Sequence, residues 1–164
     1  MEIAILADTH DNLPALQYFV QYYREQNVEH MVHAGDLISP FMVPELQKLD
    51  SPVDVVFGNN DGDRQTLHAK SQDTMVEFHE APYTLRLDNH YLLVSHRPGD
   101  LPETIPDRID YVIHGHTHQP RIEEKQNTTW INPGEAGGWL HGVSRGVQLQ
   151  LETGSIDIQI VPRP

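Results

Sequence analysis

Five apolar stretches of this sequence each run directly into a loop that carries aspartate, asparagine or histidine. Short apolar runs bounded by polar turns are typical of buried strands, so each loop is expected to leave the C-terminal end of a strand. In open α/β sheets that edge is where ligands bind. Residues far apart in the sequence would then converge on one site. They are Asp8 and His10, Asp36, Asn59 and Asp61, His96, and His116 and His118.

The first half of the chain alternates predicted strands with predicted helices. Leu16, Phe19, Val20 and Tyr23 recur at the spacing of one helical face, and Pro14 suits a first helical turn. Strand–helix–strand alternation implies parallel strands joined by right-handed crossovers. The predicted strands cover 2–8, 30–36 and 53–61, and the predicted helices cover 13–27, 43–49 and part of 63–72.

The second half alternates polar and apolar residues with a period of two, which is the pattern of half-buried strands. A further buried strand is predicted at 111–116. Two sheets packed face to face, with helices outside, would bury the apolar faces of both halves. We therefore expect a mixed α/β fold in one domain spanning 1–164. The predicted hairpins lie within 75–96, 121–134 and 146–162, with turns at 88–89, 126–127 and 153–154.

Composition restricts both the ligands and the partners of such a site. The chain has 164 residues and no cysteine, so a metal ion would have to be held by His, Asp, Glu or Asn. The absence of cysteine fits a reducing cytoplasm, and the N-terminal stretch lacks the basic start of an export signal. The net charge of −13 disfavours duplex nucleic acid and anionic membranes as partners. No apolar run approaches the roughly 20 residues that span a bilayer.

The predicted ligand set mixes carboxylate and amide oxygens with imidazole nitrogens. Such a set suits Mn, Fe, Ni, Co or Zn better than Ca or Mg, which prefer oxygen alone. Seven candidate ligands exceed the four that a single tetrahedral zinc needs. They fit two divalent ions roughly 3.5–4 Å apart that share a carboxylate and a water molecule. Two such ions would also attract a phosphate group to an acidic protein.

Five short motifs in this order resemble those of the calcineurin-like metallophosphoesterases, in particular the small single-domain bacterial and archaeal phosphodiesterases. The resemblance implies a four-layer α-β-β-α sandwich and hydrolysis of a small phosphoester by a metal-bridging water. The implied cofactor is two divalent transition-metal ions, with Mn first and Ni, Fe, Co or Zn as the other choices. The motifs are "DTH" at 8–10, "GD" at 35–36, "GNND" at 58–61, His96, and "GHTH" at 115–118.

The resemblance also implies a role for each of these residues. One ion would be held by Asp8, His10 and His118, and Asp36 would bridge the two ions. The second ion would be held by Asn59, His96 and His116.

Four further residues lie within these motifs or elsewhere at positions where the family has a typical residue. Asp61 is expected to orient a ligand such as His10. Asn60 stands where larger members of the family carry a histidine that protonates the leaving group, and Arg97 and Glu135 stand where the family usually has Gly and Ser. Asn60 and Arg97 are predicted to contact substrate, since an arginine beside the metals could bind phosphate with two hydrogen bonds.

Simpler interpretations compete with the metal site. Asp8 alone would be read as a helix cap, Asp36 as a turn residue and His96 as a hydrogen-bonded residue at a strand end. His114 is expected to be structural or to support a metal ligand, and His33 is also a candidate to support one. Ordinary surface or packing roles are expected for His30, His68, His79, His90 and His141.

Two alternatives to a phosphodiesterase remain open. The chain could hydrolyse phosphomonoesters or nucleotides, or it could be a non-catalytic scaffold of the same fold that binds metal. The presence of His10 argues against the scaffold, which resembles this chain but lacks that histidine. A homodimer is expected from the small size of the chain and from the habit of the family it resembles.

Overall fold

The computed structural model describes residues 1–162, and two sheets packed face to face form its centre. Their strands are β1 (Glu2–Leu6), β2 (His30–His33), β3 (Val53–Val56), β4 (Val76–His79), β5 (Tyr83–Leu87), β6 (His90–Ser95), β7 (Tyr111–His114), β8 (Arg121–Lys125), β9 (Thr128–Asn132), β10 (Val143–Gln150) and β11 (Ser155–Pro162). The first sheet has the order β11-β10-β1-β2-β3-β4, and the second has the order β5-β6-β7-β9-β8.

Parallel pairing places the polar loops at a common edge. In the first sheet β1, β2, β3 and β4 pair in parallel, and β10 and β11 are antiparallel additions. In the second sheet β6, β7 and β9 pair in parallel, and β5 and β8 flank them antiparallel. A continuous core of aliphatic side chains joins the inner faces of the two sheets. The predicted two-sheet sandwich is confirmed.

Three α-helices cover the outer face of the first sheet. They are α1 (Leu13–Glu25), α2 (Val43–Leu46) and α3 (Arg64–Ser71). The apolar stripe of α1 includes Leu16, Phe19 and Tyr23, all fully buried in a second core cluster. The predicted helix at 43–49 is split, because 3₁₀ turns flank α2 at Pro40–Met42 and Gln47–Leu49. No helix within residues 1–162 has the length and apolar character needed to cross a bilayer.

The outer face of the second sheet is covered by an irregular segment instead of an α-helix. Residues 98–109 contain one 3₁₀ turn, Pro98–Asp100, and pack Leu101, Ile105 and Ile109 against the sheet. The segment carries proline at 98, 102 and 106. Proline lacks an N–H group and disfavours helical backbone in the residue before it, so a regular helix is excluded here. The fourth layer of the expected sandwich is thus reduced to a loop.

The three predicted hairpin turns are confirmed, but one strand was assigned to the wrong sheet. The turns at 88–89, 126–127 and 153–154 each join antiparallel neighbours. Residues 76–79, expected to belong with the 75–96 hairpin, form β4 and pair in parallel with β3 in the first sheet. Alternation with a period of two identifies a strand but does not say which sheet it joins.

Candidate metal centre

The loops that follow β1, β2, β3, β6 and β7 meet at one end of the sandwich. Their backbones hold one another: the Asp8 and His10 N–H groups donate to the carbonyls of Gly35 and Asp36 at 3.0 Å, and the Gly115 N–H donates to the His96 carbonyl at 3.1 Å. Gly115 is required here, because a Cβ would lie 2.8 Å from Asp8 Oδ2.

Several residues of this site adopt left-handed backbone conformations that are uncommon for any residue except glycine. The φ angles are 54° at Asp8, 45° at His10, 57° at Asp36, 68° at His116 and 58° at His118. Such conformations cost about 1–3 kcal/mol each and cluster at functional sites. Five of them lie together at this edge of the sandwich, so the loops here bear a backbone cost that the surrounding packing must offset.

Asp8, His10 and His118 form a first group of potential metal ligands. His118 Nε2 lies 3.4 Å from Asp8 Oδ1 and 3.3 Å from His10 Nε2, and His10 Nε2 lies 3.7 Å from Asp8 Oδ1. The two imidazole rings stack, with their centroids 5.0 Å apart. One ion placed between these atoms could bind all three side chains.

Asp36 lies between this group and His96. Its Oδ2 is 3.5 Å from His10 Nε2 and 3.2 Å from His96 Nε2. Asp8, Asp36 and His96 also offer ligand atoms close enough to share an ion. Asp36 is therefore placed where a carboxylate could bridge two ions.

The hydrogen bonds at the far side of each ring leave lone pairs aimed into the centre. His96 Nδ1 donates to the Ala34 carbonyl at 2.8 Å, and His118 Nδ1 donates to Glu135 Oε2 at 2.8 Å. The Nε2 atoms of both rings are then unprotonated acceptors. Asp8 Oδ1 and His96 Nε2 are buried without a hydrogen-bond partner. Acceptors that face one another without a proton between them fit a cation.

Electrostatics keep the carboxylate at the centre ionised. Burial acts to raise the pKa of Asp36, but the adjacent His96 imidazole and the hydrogen bonds from Asn60 outweigh it and hold that pKa below its usual range. Burial lowers the pKa of His116, and the neighbouring His96 lowers it further, so this exposed imidazole is neutral and can act as a ligand.

Asn59 and His116 lie at the rim of the centre. The side-chain oxygen Oδ1 of Asn59 accepts a hydrogen bond from Arg97 Nε at 3.2 Å. The centroid of the His116 ring lies 5.2 Å from the centroid of the His96 ring. Of the seven side chains predicted as ligands, the structure brings five into direct proximity and places these two beside them.

The contacts of Asp61 differ from the sequence prediction. Its carboxylate makes no bond to His10; it accepts from the backbone N–H groups of Asp36 at 3.0 Å, Ile38 at 2.7 Å and Gly58 at 2.7 Å. Asp61 therefore positions the loop that carries Asp36. Asn60 is also directed at Asp36, because its backbone and side-chain N–H groups donate to the two carboxylate oxygens at 2.8 Å.

Glu135 is a site residue whose role the sequence did not indicate. It is fully buried, its Oε2 accepts from His118, and its Oε1 accepts from the backbone N–H groups of Leu140 and His141 at 2.8 Å. Burial acts to raise the pKa of Glu135, but the His118 hydrogen bond and the two amides lower it overall. A carboxylate that fixes the ring of a ligating histidine is a frequent feature of metal sites.

Comparison with known proteins agrees with this geometry. The model of the calcineurin-like phosphoesterase superfamily domain matches residues 1–154. The chain belongs to the calcineurin-like phosphoesterase superfamily. It is accordingly placed among the hydrolases of phosphoester bonds, and its two clusters of Asp and His are candidate sites for divalent metal.

Two similar proteins carry the name phosphodiesterase. The chain is 33% identical over 147 residues to Phosphodiesterase MJ0936 of Methanocaldococcus jannaschii, covering 87% of this chain and 89% of that protein. It is 26% identical over 152 residues to Phosphodiesterase YfcE of Escherichia coli strain K12, covering 82% and 78%. A solved archaeal phosphodiesterase structure superposes with a TM-score of 0.86 at 28% identity, covering 98% of this chain and 100% of the other.

A more distant solved structure supports the fold. Wild-type Vps29 of Entamoeba histolytica, described in complex with zinc, superposes with a TM-score of 0.66 at 19% identity over the full length of both chains.

Proposed function

We propose that this chain is a phosphodiesterase that holds two divalent transition-metal ions. The observation that carries the proposal is the convergence of potential ligand atoms from Asp8, Asp36, His10, His96 and His118, among which Asp8 Oδ1 and His96 Nε2 are buried without a hydrogen-bond partner. In this proposal Asp8, His10 and His118 hold one ion, Asn59, His96 and His116 hold the other, and Asp36 bridges them. The rim residues Asn59 and His116 complete the second site once their side chains turn inward.

When bound, a pair of divalent ions activates water and stabilises negative charge on a phosphoryl group. Other residues of the chain hold the proposed metal ligands in position. Ala34 and Glu135 fix the rings of His96 and His118, and Asp61 and Asn60 fix Asp36. Mn is the first choice of metal because the donor set mixes imidazole and carboxylate.

The substrate side of the centre is bordered by Arg97. A cavity of about 210 Å³ lies beside His96 and Asn59, with Arg64 and Arg97 in its wall. We propose that Arg97 contacts the phosphoester there, that the side-chain N–H of Asn60 not bonded to Asp36 contacts it from beside that carboxylate, and that the substrate is a small diester. The proteins named as phosphodiesterases above support this assignment.

Departure of the leaving group is expected to depend strongly on its own pKa. Asn60 has no ionisable proton, and its backbone N–H and one side-chain N–H donate to Asp36. General acid catalysis typically contributes about 100- to 10,000-fold, so its lack should slow alkyl phosphodiesters at least about 100-fold relative to activated aryl ones. The measurement is kcat/KM for diesters graded in leaving-group pKa, with matching monoesters alongside.

Each outcome of that series has a distinct meaning. A steep dependence with diesters ahead of monoesters supports the proposal. Monoesters ahead throughout would make the chain a phosphatase. If metal-loaded protein hydrolysed no ester, the remaining interpretation would be a non-catalytic scaffold that binds metal.

Glu135 provides a test of the support around His118. In Glu135→Gln the side chain keeps one acceptor oxygen, so it cannot serve both His118 and the two backbone amides. We expect metal affinity to fall about 10- to 100-fold, the range typical for residues that orient a metal ligand. Metal titration followed by activity measures this, with the exposed Glu103→Gln as control. Equal affinity in both variants would contradict the role given to Glu135.

We further propose that residues 1–164 form one domain, that the chain acts in the cytoplasm, and that it forms a homodimer. The shared core between the sheets supports one domain, and the absence of cysteine suits a reducing compartment.

Ile158 and Ile160 are exposed on the edge strand β11, and an exposed apolar edge favours pairing with another chain. Light scattering of the purified chain distinguishes dimer from monomer.

A further inference from the structure

A second group of His, Asp and Glu side chains lies on the inner face of the first sheet, away from the loops of the metal centre. His30 Nε2 is 2.7 Å from Asp54 Oδ2, and His79 Nε2 is 2.5 Å from Asp54 Oδ1. These residues belong to β2, β3 and β4, so three adjacent strands contribute one side chain each. The Tyr83 ring stacks on His79 with centroids 3.7 Å apart and closes one side of the group.

Glu77 adds a second carboxylate beside Asp54. The two residues are direct partners in the parallel pairing of β3 with β4. One ligand atom from each of Asp54, Glu77 and His79 lies within 4.8 Å of the others. The group therefore has the composition and spacing of a metal site, with two carboxylates and one imidazole.

Within residues 1–162, no Lys or Arg offsets the negative charge of this group. Asp54 is buried and its only ion-pair partners among residues 1–162 are the imidazoles of His30 and His79, and no Lys or Arg in that range pairs with Glu77. Like charges directly opposite one another destabilise a sheet, and a buried carboxylate is costly unless its charge is offset. Burial acts to raise the pKa of Asp54, but hydrogen bonds from His30 and His79 lower it to about 2, so it is ionised.

We propose that Asp54, Glu77 and His79 bind one divalent transition-metal ion, and that His30 orients Asp54 for this purpose. A divalent cation offsets both carboxylates at once. Imidazole together with carboxylate suits Zn, Mn, Co or Ni. His30 donates to Oδ2 and so leaves Oδ1 directed toward His79, the arrangement in which an outer residue fixes a metal ligand. In the metal-free chain His79 Nε2 donates to Asp54 Oδ1, so in this proposal the ion replaces that hydrogen bond: the ring proton is then on Nδ1, and Nε2 binds the ion.

This site is separate from the proposed catalytic pair. Asp54 lies within β3, whereas Asn59 lies in the loop beyond the end of that strand. None of the four side chains contacts Asp8, Asp36, His96 or His118. An ion here would join β4, the edge strand of the first sheet, to β3. The expected consequence is added stability, without a contribution to catalysis.

The test is the number of Zn²⁺ ions bound per chain, measured by equilibrium dialysis at micromolar free zinc. Wild type is compared with Glu77→Gln, His79→Asn and the control His68→Asn, which removes an exposed imidazole outside both groups. We expect Glu77→Gln and His79→Asn each to bind one ion fewer than wild type, with kcat/KM within about twofold of wild type. His68→Asn should bind the wild-type number.

The difference in bound Zn²⁺ between wild type and variant does not depend on how many ions the catalytic centre holds. An unchanged ion count in Glu77→Gln would overturn the proposal, and so would an equal loss of Zn²⁺ in His68→Asn. Glu77 is exposed, so its replacement by Gln is expected to fold, and that variant decides the question if His79→Asn does not fold. Loss of activity with an unchanged ion count would place these residues in the catalytic machinery and also contradict the proposal.

Discussion

Asp36→Asn is expected to lower kcat/KM by about 100- to 1000-fold. The carboxylate stands between His10 and His96, and as the bridge it would contribute to both ions. Lewis-acid stabilisation by bound metal is worth several kcal/mol, and each step of about 1.4 kcal/mol changes a rate tenfold. An asparagine keeps the size of the side chain but offers one neutral oxygen. It therefore cannot supply a negatively charged ligand to both ions.

The control for this variant is Asp107→Asn, which removes an exposed carboxylate on the outer segment of the second sheet. Its kcat/KM should match wild type. Activity of Asp36→Asn within about threefold of wild type, at saturating metal, would remove Asp36 from the proposed site.

Removal of metal is expected to abolish phosphodiester hydrolysis, and Mn²⁺ should restore it far better than Mg²⁺. The imidazoles of His10, His96 and His118 are poor ligands for Mg²⁺, which prefers an all-oxygen shell. Dialysis against a strong chelator, followed by addition of each metal, measures this through the initial rate. Equal recovery with Mg²⁺ and Ca²⁺ would contradict imidazole ligation.

The same dialysis should lower the melting temperature. Metal that binds only the folded chain stabilises it by RT ln(1 + [L]/Kd), or about 4 kcal/mol at a thousand times Kd. For a domain of this size that corresponds to a shift of about 10 °C. Without metal, the acceptors of Asp8 and His96 are left buried and unpaired. A melting temperature independent of metal would mean that the centre is not occupied in solution.

The position of the candidate site could be predicted from the sequence because its residues follow apolar runs. Asp8, Asp36 and His96 each come just after a strand, and parallel pairing brings such positions to one edge. The chemistry of the donors then follows from residue type alone. The predictions that depended on local spacing, such as α1 and the three turns, were also confirmed.

The contacts that the sequence did not reveal depend on long-range packing. Glu135 is 17 residues from His118, and only the approach of the two loops shows that it fixes that ring. Asp61 acts through backbone amides, which carry no signal in residue type. Residue type alone predicts ordinary surface or packing roles for His30 and His79, because their approach to Asp54 depends on the parallel register of β2, β3 and β4. The period-two pattern of 75–96 predicts a hairpin that includes residues 76–79, so it does not reveal that register.

Anomalous scattering from crystals grown with Mn²⁺ shows whether two metal ions lie on either side of Asp36. We expect two anomalous peaks about 3.5–4 Å apart, one beside Asp8, His10 and His118 and the other beside His96, His116 and Asn59, with Asp36 contacting both. A single peak, or two peaks without Asp36 between them, would contradict the proposal.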